Sequence, residues 1–190
     1  LGEGRLENSR STAADRARVR QRDVAGLTGC VLFDGDEARH AAAFNPAVTL
    51  VPTCLDAARY RIEADKPADS LDLVWIGSHS TRKYLAEAML WLKVAAGAVP
   101  GLRLKIVADF DLPGCGVTTL PVAWHADSEA RELAAAHIGI APMRDDDWSR
   151  GKCALKGLQG MAAGLPVVAS RARANAAVLR EGETGFLAPS

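Results

Sequence analysis

The chain has 190 residues, and 48% of them are hydrophobic, which is enough for the core of one good domain or of a domain with part of another. Its 23 lysines and arginines balance 23 aspartates and glutamates, so the formal net charge is +0. This balance excludes a general nucleic-acid or membrane binder, and any anion must be bound by a local group of side chains.

The first 70 residues predict short elements and a linker. The charged, alanine-rich segment at 7–25 is typical of a solvent-facing helix. A short apolar strand follows in GCVLFDG, and DEARHAAAF predicts a helix with acids at its N-terminus. A β-branched strand in NPAVTLVPT ends at Pro52, and the polar segment RIEADKPADS, residues 61–70, is the predicted linker.

From about residue 71 onward, apolar strands alternate with helices. The predicted strands are LDLVWIG, LRLKIVAD, VTTLPVAW, HIGIAPM, LPVVAS and GFLA. The predicted helices are STRKYLAEAMLWLKVAAGAV, DSEARELAAA with a strong N-cap, GKCALKGLQGMAAG and ARANAAVLRE. This alternation predicts an α/β fold, a Rossmann-like parallel sheet with helices on both faces.

The four cysteines predict reduced structural thiols rather than ligands of a metal. They lie far apart, at positions 30, 54, 115 and 153, and no pair has the spacing of a zinc or redox motif. We recognise no signal peptide and no apolar run long enough to cross a bilayer. These features predict a cytoplasmic protein.

Ligands of such sheets bind at the carboxyl ends of the strands, so the polar loops there are candidate sites. The loops that we consider are GSHST, ADFDLPG, PMRDDDWSRGK and ASRARAN. In the first, Gly77 allows a tight turn before the hydroxyls of Ser78, Ser80 and Thr81, as in a phosphate-binding helix N-terminus. An ordinary capped turn fits this loop equally well. The dinucleotide fingerprint and the P-loop motif are both missing, which disfavours NAD enzymes and nucleotide triphosphatases.

The segment RGKCALKGLQGMAAGLPVVAS places Lys152, Lys156 and Gln159 on one face of a predicted helix. The opposite face, predicted to meet the core, carries Leu155, Leu158 and Ala162. A lysine in the first helical turn is unfavourable beside the helix dipole unless an anion shares the site. A solvated polar face remains the simpler interpretation of this helix taken by itself.

Other polar residues give weaker signals. The acids at 145–147 have no evident fourth ligand, so a solvated loop is preferred over a metal site. Of the four histidines only His79 lies in a candidate site loop, and no serine or cysteine triad pattern is present. We therefore assign no catalytic residue and no metal ligand.

The motifs HIGIAPM, MAAGLPVVAS and GETGFLA, in this order and spacing, resemble a known family. They resemble the C-terminal, donor-binding half of a retaining glycosyltransferase of the GT-B fold, family four in the usual classification. The passage FNPAVTLVPTCLDAARY resembles the stretch that leads into that half, so the resemblance covers roughly residue 40 to the end. It implies that residues 1–60 end an N-terminal, acceptor-side domain, and that 71–190 form a donor-binding domain truncated at its C-terminus.

The resemblance also implies roles for single residues. The two glutamates of the family's E-x7-E segment fall on Gly151 and Gln159, a departure that leaves Gln159 as a hydrogen-bonding contact for the donor ribose. Gly77 and Ser78 correspond to the family's phosphate-contacting loop. The family usually has an Arg and Lys pair after the first strand of this domain. Residues 82 and 83 correspond loosely to that pair, which implies a donor-binding role for Lys83.

Two further kinds of contact are expected at the same site. Lys152 and Lys156 would supply positive charge to the diphosphate, and Asp109 would approach the base. The implied reaction transfers a sugar from a nucleoside diphosphate sugar to an unidentified acceptor in cell-envelope, polysaccharide or glycoconjugate synthesis. It requires no cofactor and no divalent metal. The implied enzyme is a glycosyltransferase of the hexosyltransferase type.

Several expectations concern the chain as a whole. The isolated chain is expected to be inactive, and a peripheral contact with the inner membrane face through an N-terminal half is left open. A nucleotide-sugar epimerase of the same fold is the nearest alternative. A non-catalytic nucleotide-binding or interaction module is the other, and it is favoured by the absence of both glutamates.

Overall fold

The computed structural model describes residues 30–32, 35–113, 116–146 and 148–189. The helix predicted over 7–25 lies outside these ranges. The chain divides into two compact units, residues 1–52 and 53–190. The proposed limits of the linker, 61 and 70, stay predictions.

The first unit contains a strand, a helix and a second strand in that order. These are β1 (Cys30–Leu32), α1 (Gly35–Ala42) and β2 (Val48–Leu50). The two strands pair in parallel, with Val31 opposite Thr49. A parallel pair needs a crossover connection, and α1, which coincides with the helix predicted in DEARHAAAF, supplies it.

The second unit is built on one six-stranded parallel sheet in the order β5-β4-β3-β6-β7-β8. Its strands are β3 (Leu71–Ile76), β4 (Leu102–Ala108), β5 (Thr118–Ala123), β6 (Ile138–Ala141), β7 (Val167–Ser170) and β8 (Gly185–Ala188). Each lies within a predicted strand segment. Because the chain crosses from β5 at one edge to β6 beside β3, the strand order changes direction between β3 and β6.

Helices connect these strands. The α-helices are α2 (Arg82–Ala98), α3 (Glu129–Ala134), α4 (Leu155–Ala162) and α5 (Arg173–Val178). Three single turns of 3₁₀-helix lie at Ala57–Tyr60, His79–Thr81 and Ser149–Gly151. The predicted N-cap of α3 makes no capping bond, since the Ser128 side chain bonds none of the first-turn N–H groups.

The core lies on both faces of the sheet because alternate residues of each central strand point to opposite sides. One cluster joins Leu73 and Trp75 of β3 to Leu85 of α2. The other joins Val74 and Ile76 of the same strand to α3 and to the turn after α4, through Ala130, Leu133 and Leu165. The predicted α/β fold with helices on both faces is thereby confirmed.

One acid lies inside the sheet and is paired there. Asp72 of β3 is 2% exposed, and its two carboxylate oxygens accept from Nε and Nη2 of Arg103 at 2.7 and 2.9 Å. The hydrogen bonds from Arg103 hold the pKa of Asp72 below its usual value, against the opposing effect of burial. This pair joins β3 to β4 near their amino ends.

The helix predicted over GKCALKGLQGMAAG is shorter than expected. Ala154 has a left-handed conformation (φ +53°), so α4 begins only at Leu155, and Gly164 (φ +73°) follows its end. Lys152 is therefore extended backbone before the helix and does not share a helical face with Lys156. The prediction that it lies in the first helical turn is wrong.

The buried face of α4 also differs from the prediction. Leu155 is 42% exposed, whereas Gln159 is 8% exposed and the two helical glycines, Gly157 and Gly160, are buried. A Cβ on Gly160 would lie 2.9 Å from Cγ2 of Val167, which shows that this side lies directly against β7. The small glycines, rather than the leucines, bring the helix to the sheet.

Candidate functional site

A cavity of about 570 Å³ opens at the carboxyl ends of β3, β4, β5 and β6. This is the edge at which parallel α/β sheets bind ligands, beside the point where the strand order changes direction. The sequence predicted nine donor-binding residues, and eight of them line this cavity. These eight are Gly77, Ser78, Ser80, Thr81, Asp109, Lys152, Lys156 and Gln159. The fold thus brings together residues from three separate segments, and their roles toward a ligand stay predictions.

Lys83 is the ninth predicted residue, and it lies outside the lining of this cavity. Its Nζ is 3.4 Å from Oδ2 of Asp146 and 4.6 Å from the ring centroid of Tyr84. The Tyr84 hydroxyl donates to Asp146 as well, at 2.8 and 2.9 Å from its two oxygens. Lys83 therefore contacts the loop after β6 instead of the cavity wall.

Gly77 directly follows β3 and lies where a larger residue would not fit. A Cβ there would be 2.4 Å from Cη2 of Trp75 and 2.9 Å from Cε of Lys156. Trp75 is fully buried, so its ring has no room to withdraw. The glycine therefore allows the Lys156 side chain to lie directly against the loop after β3.

The residues after Gly77 carry hydroxyl groups. The hydroxyls of Ser78 and Ser80 lie 3.0 Å apart on the exposed side of the loop. The Thr81 hydroxyl is buried and donates to the Ser78 carbonyl at 3.1 Å, which holds the turn that leads into α2. The two serines therefore present polar groups to the cavity on a fixed turn.

Two lysines from the segment after β6, Lys152 and Lys156, also line the cavity. Burial, together with the charge of Lys152, lowers the pKa of Lys156 from 10.5 to about 8. The Lys156 ammonium lies 5.5 Å from the ring centroid of Trp75, and that of Lys152 lies 4.2 Å from the ring centroid of Trp148. An anion between these lysines would favour the protonated form of Lys156 and offset its burial.

The cavity is also lined by a buried acid, Glu129, the first residue of α3, which is 7% exposed. Its Oε1 accepts from the Tyr60 hydroxyl at 2.5 Å and from Nε2 of Gln159 at 2.8 Å. Its Oε2 accepts from Nε1 of Trp124 at 2.6 Å. Burial, followed by the bond to Glu129, raises the pKa of Tyr60, so this hydroxyl keeps the proton that it donates.

Sequence reasoning missed Glu129, Trp124 and Tyr60. The acid was interpreted only as a helix-start residue, although WHADSE follows the carboxyl end of β5 just as the four considered loops follow theirs. Inspection of that fifth strand end would have found Glu129 and Trp124. Tyr60 precedes the sheet in the chain, and no local pattern marks it.

A short loop after β6 positions Lys152. Asp146 Oδ1 accepts the N–H of Ser149 at 2.8 Å, and the Ser149 hydroxyl donates to the Asp146 carbonyl at 2.9 Å. Ser149 is 2% exposed, and the turn that it forms leads directly into Gly151 and Lys152. Asp146 is thus hydrogen-bonded within its loop. The expectation that the acids at 145–147 form a solvated loop is therefore only partly correct.

Asn175 of α5 joins the carboxyl ends of two strands. Its Nδ2 donates to the carbonyl of Ala141 in β6 at 3.2 Å and to that of Ser170 in β7 at 3.0 Å. The side chain is 1% exposed and lines the cavity. It fixes the spacing of the two strands on the Lys156 side of the site.

Within the described ranges, we find no helix that is both long enough and apolar enough to span a membrane.

Comparison with known proteins identifies the family. The model of the family described as glycosyl transferases group 1 matches residues 40–190. No curated protein matches the chain. The solved structures it resembles include TarM of S. aureus and the Anabaena protein HepE in complex with UDP-glucose. A third is the pneumococcal O-GlcNAc transferase GtfA in complex with UDP and GlcNAc.

The structural likeness is clear although sequence identity is low. TarM gives a TM-score of 0.67 at 8% identity, and the match covers 98% of this chain and 38% of that one. HepE gives 0.69 at 13%, covering 94% and 54%, and GtfA gives 0.58 at 13%, covering 90% and 36%. The chain therefore spans about half or less of the length of these proteins, and this likeness shows the fold. On the family match, the chain belongs to the glycosyl transferases group 1 family.

Proposed function

We propose that this chain is the donor-binding half of a retaining GT-B glycosyltransferase of family four and of the hexosyltransferase type. Its ligand is a nucleoside diphosphate sugar, and the protein of which it forms the donor half transfers the sugar to an acceptor of a cell-envelope, polysaccharide or glycoconjugate pathway. Family membership supports sugar transfer. The finer assignments rest on the motifs of the sequence.

One observation carries the proposal. Two lysines, Lys152 and Lys156, and the hydroxyl loop at Ser78 and Ser80 line the same cavity at the carboxyl edge of the sheet. In a chain with net charge +0, a partly buried pair of cations is a costly arrangement unless an anion binds between them. A diphosphate has the charge and the acceptor oxygens to do so.

This arrangement suits the chemistry of sugar transfer. Negative charge grows on the diphosphate as the bond to the sugar breaks, and preorganised cations lower the barrier by stabilising that charge. Lys152 and Lys156 would act on the leaving group in this way, with the serine hydroxyls as additional donors. The expectation that no divalent metal is needed can be tested by measuring donor binding with and without EDTA.

The structural neighbours suggest the first ligands to test. HepE and GtfA were crystallised with UDP together with a sugar, or with UDP-glucose. We therefore choose UDP and UDP-glucose, with GDP as a comparison for the base.

Isothermal titration calorimetry of the 190-residue chain tests the proposal. We expect micromolar binding of at least one of these nucleotides, weakened about tenfold or more in Lys156→Ala or Lys152→Ala, because each removes a charged hydrogen-bond donor. Lys93→Ala is the matched control, because this exposed lysine of α2 lies outside the cavity lining, and the affinity of the variant should equal that of the wild type. Absence of binding to every nucleotide would reject the proposal.

A non-catalytic nucleotide-binding module is the second candidate. It is favoured by Gln159, whose Nε2 donates to Glu129 and Tyr60 where the family pattern has a glutamate. Transfer or hydrolysis of radiolabelled UDP-glucose by a longer protein containing this chain would distinguish the two candidates. The expected inactivity of the isolated chain is tested in the same assay.

A further inference from the structure

Glu129 is held in a way that leaves part of its carboxylate available to a ligand. All three of its recorded partners, Tyr60, Trp124 and Gln159, are donors. An ionised carboxylate has about four lone-pair positions, and these bonds use two on Oε1 and one on Oε2. The remaining acceptor position belongs to Oε2, and Glu129 lines the cavity.

The three partners also fix where this acceptor lies. Tyr60 comes from the 3₁₀ turn before the sheet, Trp124 from the position directly after β5, and Gln159 from α4. Because the donors approach from three separate elements, the carboxylate has little freedom to rotate. It therefore presents a preorganised acceptor, which a group bearing O–H donors can use at little entropic cost.

The charge and location of Glu129 indicate which part of a nucleoside diphosphate it can contact. A diphosphate is repelled by a carboxylate and belongs with Lys152 and Lys156. Hydroxyl groups are attracted to it, and in Rossmann-type sites an acid on the sheet edge commonly accepts from ribose hydroxyls. Glu129 starts the helix after β5, whereas Lys156 belongs to the helix after β6, so one cavity offers separate positions for the two parts.

We infer that Glu129, held by Tyr60, Trp124 and Gln159, accepts a hydrogen bond from a ribose hydroxyl of the nucleoside diphosphate. Gln159 then acts as a positioning residue and is not itself the ribose contact. The inference rests on the proposed function, and it assigns to α3 a carboxylate that the family pattern places in α4.

Deoxynucleotides test this inference directly. For the wild type we expect UDP or GDP to bind about tenfold or more tightly than the matching 2′-deoxy or 3′-deoxy nucleotide, because loss of the hydroxyl leaves the remaining acceptor position of a buried carboxylate unfilled. In Glu129→Gln this ratio should fall toward one. Inorganic pyrophosphate should bind the variant as well as the wild type, or slightly better, because a negative charge has been removed.

Glu132→Gln is the matched control for charge and helix. Glu132 lies one turn further along α3, where it pairs with Lys105 at 3.2 Å, and it does not line the cavity. Its substitution should keep both the preference for ribose and the affinity for pyrophosphate. Thermal melting of each variant establishes that it is folded at the temperature of the titration.

The outcomes are distinguishable. An unchanged ratio in Glu129→Gln, or loss of pyrophosphate and nucleotide binding together, would overturn the inference, the latter by showing a purely structural role. If the wild type binds UDP and its deoxy forms with equal affinity, the inference is overturned by the wild type alone. The proposed function would still stand in that case. If no nucleoside diphosphate binds the wild type, the proposed function fails, and the inference fails with it.

Discussion

Nε2 of Gln159 donates to Oε1 of Glu129 across 2.8 Å, and both side chains are less than one-tenth exposed. A neutral amide is well suited to this position because a second acid would lie directly against the first. Gln159→Glu should raise the pKa of the resulting carboxyl pair and destabilise the fold at neutral pH by about 1–3 kcal/mol. Urea unfolding at a series of pH values measures the effect.

The sign of the pH dependence is specific. A carboxyl whose folded pKa is raised costs little stability below its unfolded value of about 4.3, and the cost increases as the pH rises toward the folded pKa. The variant should therefore approach the wild type at pH 4 and fall behind it at pH 7. Gln159→Met, which removes the same amide donor but adds no charge, serves as the control and should show a smaller trend. An equal trend in both variants, or a pH-independent loss in Gln159→Glu, would contradict the explanation.

We expect Lys156 to lower the stability of the fold while it strengthens the binding of an anion. Its pKa of about 8 in the folded chain lies below 10.5, so the unfolded chain binds the extra proton and stability increases with pH between these two values. Lys156→Met should be more stable than the wild type at pH 7, by about 1 kcal/mol or more, since one pKa unit corresponds to about 1.4 kcal/mol. Urea unfolding should show this gain vanishing near pH 10.5.

The same group should control the pH profile of ligand binding. Because only the protonated lysine attracts an anion, the affinity for pyrophosphate in the wild type should decrease as the pH rises above about 8. Titration calorimetry of Lys156→Met should give weaker binding with no such change in this range. An identical profile in both proteins would remove Lys156 from the site.

Gly77→Ala should disrupt both packing and binding. The new methyl would press on the buried Trp75 ring and on the Lys156 stem, an overpacking that typically costs about 1–3 kcal/mol. We expect a lower urea midpoint and weaker binding of UDP. Gly97→Ala is the matched control: it lies in α2 with no atom within 4 Å of the added carbon, and it should stabilise the chain by up to about 1 kcal/mol.

We expect the contribution of Asp72 to the free energy of unfolding to decrease in acid. Its folded pKa is lowered, so its stabilising contribution is present above the unfolded value of about 3.9 and is lost as the pH falls through the folded pKa. Asp72→Asn should cost about 1.5–3 kcal/mol at pH 7, because it removes the charge-assisted hydrogen bonds between the buried carboxylate and Arg103. This deficit, measured by urea unfolding, should shrink below pH 4.

A surface pair provides the control for Asp72. Glu183 and Arg180 are 3.4 Å apart, with side chains that are 67% and 78% exposed. Glu183→Gln should change stability by less than about 0.5 kcal/mol at any pH, since exposed ion pairs contribute little. An equal effect at both sites would mean that burial does not explain the role of Asp72.

The sheet was predictable from the sequence because its signals are local. Each of LDLVWIG and LRLKIVAD is a continuous apolar run between helical segments, which is what a strand covered on both faces requires. The grouping of Gly77 with Lys156 and Gln159 followed from one topological rule, that parallel strands end at one edge. These inferences needed no knowledge of tertiary contacts.

The missed parts depend on contacts that no local pattern records. The left-handed Ala154 shortens α4, although alanine is a strong helix former. The burial of Gln159 instead of Leu155 arises because glycines bring one side of the helix to β7. Glu129 acquires its position only when Tyr60 and Gln159, far away in the chain, close around it.

The change of direction in the strand order has a mechanical consequence. β3 is registered with β4 over six residue pairs, but with β6 over only two, Leu73 with Ile138 and Val74 with Gly139. The cavity lies across this short junction, with Ser78 on the β3 side and Lys156 on the β6 side. A ligand bound to both would act as a clamp on the least extensively paired boundary of the sheet. Amide hydrogen exchange in β6 and β7 should therefore slow on binding more than exchange in β4 and β5.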